Sequence, residues 1–230
     1  MIKFDDIKVI TFAKGNFLNS QTILSEHLNK LGISNQINLS DKDLPEDFKQ
    51  KHKLFFNEIR GYGYWIWKPF IILNEIFKLS NNEILVYIDS TDLPKLPFFE
   101  FLQTHFITED ILLTNRGYKN GEWTKRDCFI SMNCDSEKYH NAIQLEAGLM
   151  AFKKNDLCIN LLSEWFEFMQ NKQIVDDSPN TLGFPNLTNF KEHRHDQSIL
   201  TNLSISKNIK NFNIGSEYVN FNFNQPRIYI

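Results

Sequence analysis

Ile84-Leu85-Val86-Tyr87-Ile88-Asp89-Ser90-Thr91-Asp92 is the stretch that decides the fold class. Its near-continuous apolar run, with no polar residue at alternate positions, marks a strand covered on both faces. The run then delivers two carboxylates, and open α/β sheets hold their ligands outside the carboxyl ends of such strands. Just upstream, Phe70, Leu73, Ile76 and Phe77 recur at helical spacing, and Ser80-Asn81-Asn82 stops the helix. Gly61-Tyr62-Gly63-Tyr64-Trp65-Ile66-Trp67-Lys68-Pro69 is the turn that opens it. Pro69 suits a first helical turn, where its missing N–H costs nothing. Helix, covered strand, then acids is an α/β arrangement.

The same pattern continues outward. Lys8 to Ala13 reads as a buried first strand, broken by Gly15 and Asn16. A helix over Ser20–Leu31 follows from Ile23, Leu24, Leu28 and Leu31, and Gly32 ends it. Ser34 to Leu39 suggests a second strand, and Asp41 to Lys53 a charged surface loop with a short helix. Downstream, the pattern predicts a helix over 98–106, strands at 111–114 and 147–152, and a helical turn at Trp123. It also predicts an amphipathic helix over 156–169 with Leu157, Leu161, Leu162, Trp165, Phe166 and Met169 on one face. Residues 171–190 read as a long loop, a feature that is often functional. His195 to Leu203 reads as helical, and 205–230 as irregular or short strands. No repeat or composition shift divides the chain. The expected fold is a single α/β domain with a mixed, mostly parallel sheet and helices on both faces.

Composition narrows the function classes. The chain has 230 residues, 42% hydrophobic and 14% aromatic, enough for one sizeable core and unlike a disordered chain. A net charge of −3 gives a nucleic-acid partner no support. Cys128, Cys134 and Cys158 are scattered and contain no CxxC, which argues against a disulfide framework or a structural zinc site. The charged start has no apolar leader segment, and no apolar run approaches the roughly 18 residues of a membrane span. A cytoplasmic location is expected.

Two segments carry the chemistry. Asp89 and Asp92, at a strand end, offer hard oxygen ligands for Mn²⁺ or Mg²⁺ bridging two phosphates, or else Asp89 simply caps the following turn. Glu192-His193-Arg194-His195-Asp196-Gln197-Ser198 could complete the same shell through His193 or His195 and bind hydroxyls through Asp196, or else form a polar helix start. A shared site requires at least one of His193, His195 and Asp196 to lie within about 10 Å of Asp89, the span of a cation and a diphosphate. Lys68, Lys125 and Arg126 are candidate phosphate partners, or surface ion pairs. Tyr62, Tyr64, Trp65 and Trp67 could stack on a base or sugar, or fill the core. Asp177 offers a further carboxylate within ordinary turn chemistry.

In their order and spacing, the blocks Gly61–Pro69, Ile84–Asp89, Trp123–Asp127, Gln144–Gly148, Asp176–Pro179 and Glu192–Ser198 resemble a family of bacterial glycosyltransferases from capsule and lipopolysaccharide gene clusters. The resemblance covers roughly residues 60–203 and implies a GT-A-like fold, with a nucleotide-binding half about 1–115 and an acceptor-side half about 116–230. It implies a nucleotide-sugar donor, most simply a UDP-sugar, and a glycan or lipid-linked glycan acceptor, with peripheral association at the inner membrane. Asp89 and Asp92, with His193 and His195, would hold Mn²⁺ or Mg²⁺. Thr11, Trp67, Lys68, Lys125, Arg126 and Gln197 would contact the donor. Asp196, Glu146 and Asp177 are the candidate catalytic carboxylates. The usual Asp-x-Asp signature is replaced here by Asp89-Ser90-Thr91-Asp92, which puts the second acid one residue late. The competing classes are a metal-dependent phosphoesterase or nucleotidyl-transfer enzyme, and a non-catalytic glycan-binding domain.

Overall fold

The structure is a computed structural model that describes residues 4–221. The strands are β1 (Ile7–Ala13), β2 (Gln36–Ser40), β3 (Ile84–Ile88), β4 (Leu93–Pro94), β5 (Ile111–Lys119), β6 (Ile143–Lys153), β7 (Asn211–Asn213) and β8 (Val219–Asn220). The longer helices are α1 (Phe17–Lys30), α2 (Trp67–Phe77), α3 (Leu96–His105), α4 (Asp156–Met169) and α5 (His195–Ser206). Six strands form one sheet in the order β2-β1-β3-β6-β5-β7, and β4 and β8 pair separately. β1 runs parallel to β2 and β3, and β5 runs parallel to β7. β6 lies antiparallel between β3 and β5. This is the expected mixed, mostly parallel α/β sheet.

Strand periodicity sorts β3 onto two cores. Ile84, Val86 and Ile88 face one cluster with Leu24 and Leu28 of α1 and Phe98, Phe99 and Leu102 of α3. Leu85 and Tyr87 face the other, with Ile72 and Ile76 of α2, Leu161 and Trp165 of α4, and Ile199 and Leu200 of α5. Every residue of β3 is buried, as its apolar run requires. The alternation also decides the site: Tyr87 points to the side where the starts of α2 and α5 meet.

α4 spans Asp156–Met169, the range read from sequence, and the Asn155 side chain accepts the Cys158 N–H at 3.0 Å as its N-cap. Its buried arc is Cys158, Leu161, Leu162, Trp165 and Met169. At 3.6 residues per turn, Leu157 and Phe166 fall at the two edges of that arc. Leu157 is accordingly 51% exposed, which corrects its assignment to the apolar face. β5 runs past the predicted Thr114 to Lys119, and the 205–221 part of the tail forms the short strands β7 and β8. Residues 1–3 and 222–230 lie outside the described residues. Among the described residues, no helix is long and apolar enough to cross a membrane.

The turn before α2 has a conformation that the sequence only hinted at. Gly61, Tyr62, Gly63, Tyr64 and Trp65 all have positive φ, between 48° and 86°. A left-handed turn costs about 1–2 kcal/mol at each non-glycine residue, so packing must hold it. Trp67 Nε1 donates to the Gly61 carbonyl at 2.9 Å, and Tyr64 and Trp65 pack on the His195 ring. A Cβ on Gly61 would stand 2.3 Å from the Trp65 ring. Fixed in this way, the turn starts α2 with Lys68 facing the sheet end.

Candidate functional site

Asp89 follows β3 directly, and its N–H donates to the Gly148 carbonyl at 2.7 Å, extending the β3–β6 ladder by one pair. The Asp92 N–H donates to the Asp89 carbonyl at 2.9 Å, closing a β-turn. That turn offsets the extra residue between the two acids. Asp89 Oδ2, Asp92 Oδ2 and Glu146 Oε1 converge over Gly148, lying 2.9, 3.1 and 3.3 Å from where a Cβ on that glycine would stand. The antiparallel direction of β6 is what brings Glu146 and Gly148 to the carboxyl end of β3.

Beneath this cradle lies a buried charge cluster. Lys68 Nζ is 3.3 Å from Asp89 Oδ1 and 3.1 Å from Asp196 Oδ2, and donates to the Ala147 carbonyl at 3.0 Å. The Tyr87 hydroxyl donates to Asp89 Oδ1 at 2.7 Å. Burial alone would lower the Lys68 pKa, but Asp196 and then Asp89 outweigh it and the ammonium pKa ends raised. Burial pushes the Asp196 carboxyl up to about 6, with Lys68 opposing the shift. Burial and the Asp89 charge hold the Tyr87 hydroxyl pKa well above its usual value, so Tyr87 stays a donor.

Beside the cradle opens a cleft of about 290 Å³ lined by Arg116, Tyr118, Trp123, Gln144, Glu146, Arg194 and Gln197, together with Leu145. Glu146 belongs to both places. Its Oε1 faces the cradle, and its Oε2 lies 3.2 Å from Arg116 Nε at the cleft wall. Trp123 packs edge-on against Tyr118 at 5.8 Å, with the Arg194 guanidinium 4.6 Å from its ring centre. An aromatic wall with amides, a carboxylate and guanidinium groups can hold a sugar ring and its charged substituents.

The structure therefore joins Asp89, Asp92, Glu146, Lys68 and Asp196, with Gln197 in the adjoining cleft. Asp196 meets the proximity expected of it, since it shares Lys68 with Asp89. The other expected residues have different surroundings. His193 accepts the Lys125 N–H at Nδ1 (3.2 Å) and donates from Nε2 to the Ile174 carbonyl (2.9 Å), leaving no nitrogen for a metal. His195 donates from Nδ1 to the Val175 carbonyl at 2.6 Å, and its ring lies against Tyr64 and Trp65. Burial lowers both imidazole pKa values, that of His195 to about 3. Both rings anchor the 174–175 backbone, which corrects the metal-ligand reading for His193; the buried His195 Nε2 has no hydrogen-bond partner and lies 3.8 Å from Asp177 Oδ1.

Lys125 is buried and its ammonium holds Asp176 and the Ser178 carbonyl, not a phosphate pocket. Arg126 Nε lies 2.7 Å from Asp135 Oδ1. Both oxygens of Asp177 are held by Arg60 Nη1, at 3.1 and 3.0 Å. Trp67 is a core residue stacked on Phe12 at 3.9 Å, so its ring is not a base platform. Thr11 is buried on β1, and its hydroxyl has no hydrogen-bond partner. Lys68 faces carboxylates where a phosphate was expected, and Asp196 is 5% exposed at its side chain, too enclosed to meet an acceptor. Sequence reading gave no site role to Tyr87, Gly148, Arg116 or Tyr118, although Tyr87 and Gly148 lie in the stretches it quoted. Tyr87 could have been found two residues before Asp89, on the same face of the strand.

No protein-family model and no curated protein matches the chain. Among solved structures it is similar to mouse xyloside xylosyltransferase 1 in its apo form, at 12% identity and TM-score 0.48, over 93% of this chain and 74% of that one. It is similar to the apo WbbM bifunctional glycosyltransferase at 11% identity and TM-score 0.46, over 90% of this chain and 38% of that one. It is also similar to a glycosyltransferase involved in glycosylation of the PBCV-1 major capsid, at 8% identity and TM-score 0.39, over 77% of this chain and 71% of that one. Likeness at this level says nothing of donor or acceptor.

Proposed function

We propose that this protein transfers a sugar from a nucleotide-diphosphate donor, a UDP-sugar, to a hydroxyl of a bacterial surface glycan such as capsule, O-antigen or lipopolysaccharide. The observation that carries the reading is the convergence of Asp89, Asp92 and Glu146 oxygens over Gly148, beside a cleft of sugar size. Among the described residues, no three His, Cys, Asp or Glu side chains form a ready-made metal cage. The donor set is nonetheless hard oxygen, and a glycine leaves room above it. That combination fits Mn²⁺ or Mg²⁺ taken up with a diphosphate, since Mg²⁺ in particular is commonly held by one or two carboxylates plus substrate phosphates. Asp89 and Asp92 would hold the ion, which would neutralise charge on the departing diphosphate.

The chain's own residues supply the rest. Arg116 and Arg194 face the cleft as cationic partners for donor oxygens. Gln144 and Gln197 offer amides to sugar hydroxyls, and Tyr118 offers an exposed ring. Glu146 is the carboxylate that reaches the cleft, and so the one suited to accept a proton from an acceptor hydroxyl. Lys68 and Asp196 lie behind the reacting groups and fix them.

The test is turnover of a panel of nucleotide sugars with Mn²⁺, with Mg²⁺ and with EDTA. Asp89→Ala should cut turnover by at least ~10²-fold, the scale for losing one electrostatic stabiliser, in a protein that still folds although Lys68 and Tyr87 each lose a buried partner. Full turnover in the folded variant removes the donor site from Asp89. Glycan binding with no nucleotide-sugar turnover would instead make the protein a binding domain.

A further inference from the structure

We propose that Tyr87 is a positioning residue that aims Asp89 at the cation, an inference that rests on the glycosyltransferase reading. A carboxylate has two oxygens, and a side chain free to rotate presents either of them. Here Oδ1 is claimed from below by the Tyr87 hydroxyl at 2.7 Å and the Lys68 ammonium at 3.3 Å. Oδ2 is thereby left over Gly148, in the company of Asp92 Oδ2 and Glu146 Oε1. The backbone of Asp89 is fixed by its N–H bond to Gly148, so the remaining freedom is that of the side chain.

The two Oδ1 partners differ in kind. Lys68 is divided among Asp89, Asp196 and the Ala147 carbonyl, and its charge repels any cation nearby. Tyr87 is uncharged, wholly buried and directed at Asp89. It constrains the carboxylate without adding a competing charge. Period-two geometry puts the ring and the carboxylate on the same side of the strand, so the bond needs no help from a loop. Groups that orient a metal ligand in this way typically account for 10–100-fold in metal affinity or activity.

Tyr87→Phe isolates this role, because it deletes one buried oxygen and keeps the ring in the core. Free Mn²⁺ is measured by electron paramagnetic resonance while the protein is titrated at saturating UDP. UDP affinity without cation and the thermal midpoint are measured alongside. Tyr87→Phe should bind Mn²⁺ at least about tenfold more weakly, with UDP affinity and folding unchanged. Placing p-aminophenylalanine at position 87, which restores a donor at the same point, should recover most of the loss. Wild-type Mn²⁺ affinity in folded Tyr87→Phe would overturn the positioning role and leave the transferase reading standing. If the unmodified protein binds neither UDP nor Mn²⁺, the transferase reading fails, and the positioning role fails with it. If Tyr87→Phe does not fold, the p-aminophenylalanine protein decides: it should bind Mn²⁺ like the unmodified chain, and loss of binding in that folded protein would overturn the role.

Discussion

Gly148 shows how a single residue type can make a site. It lies within β6 with an ordinary backbone conformation, so nothing in its φ demands glycine. What demands it is space, because three carboxylate oxygens stand within 3.3 Å of the missing Cβ. Gly148→Ala should therefore separate activity from stability. Replacing glycine at a compatible position reduces the freedom of the unfolded chain and stabilises by about 0.4–1 kcal/mol. The displaced carboxylates offset some of that gain, so the thermal midpoint should stay within a few degrees. Turnover should fall by at least ~10²-fold, as for loss of one electrostatic stabiliser. Normal turnover in the variant would show that the space above Gly148 is not used. Asp89 and Asp92 were legible at this scale, because acids that end a covered strand carry a known meaning. Gly148 was not, because a glycine in an apolar run carries no sign of what stands above it.

Among the elements, the segment from Lys172 to Arg194 is fastened mainly by buried polar groups. His193 and His195 hold the Ile174 and Val175 backbone, Lys125 holds Asp176 and Ser178, and Arg60 ties Asp177 to Glu192. The sequence announced a functional loop followed by a reactive cluster. Two of that cluster's residues turned out to be fasteners, because an imidazole bonded to a buried backbone carbonyl and an imidazole aimed at a metal read identically in one dimension. Their burial makes the fastening sensitive to pH. Both imidazole pKa values are lowered in the fold, that of His195 to about 3, with Arg60 close to each and Lys125 and Arg194 adding to one or the other. Their contribution is thus present above the unfolded value near 6.5 and is lost as pH falls, by about 1.4 kcal/mol per unit for each proton. Asp196 acts in the opposite sense, since its pKa is raised to about 6 and the fold gains stability as pH drops through that value. His52, whose imidazole pKa burial also lowers, acts in the same sense as His193 and His195, so three histidines stand against one aspartate and stability falls as pH drops below about 6. Asp127 and Asp176, with lowered carboxyl pKa values, add their own losses only at lower pH. Urea denaturation across this range should show that fall, and His195→Asn should make it shallower. An unchanged slope in His195→Asn would mean that its ring does not stay neutral in the fold.

Across the whole molecule, the site exists because distant segments converge on one sheet end. Asp89 and Asp92 come from the end of β3, Lys68 from α2, Glu146 from β6 and Asp196 from α5, and the sheet draws strands from both halves of the chain. The order of elements was legible, since periodicity and breakers fix helices and strands locally. The Lys68–Asp196 pair was not, because it joins residues whose proximity depends on how α2 and α5 pack, and no local pattern records that packing. The same convergence gives a test at this scale. A ligand that bridges Asp89 and the cleft is bound only by the assembled sheet end, so it must stabilise the fold as a unit. At a hundredfold excess over its dissociation constant, such a ligand adds about 2.7 kcal/mol. For a chain of this size that corresponds to a rise of roughly 5–10 °C in thermal midpoint. UDP with Mn²⁺ should produce the rise in the unmodified protein, and UDP alone should produce less of it. Asp89→Ala should lose the part that depends on Mn²⁺, read as the shift from that variant's own ligand-free midpoint. Equal shifts in both proteins would mean that the nucleotide binds away from Asp89, and that the carboxylates over Gly148 serve some other ligand.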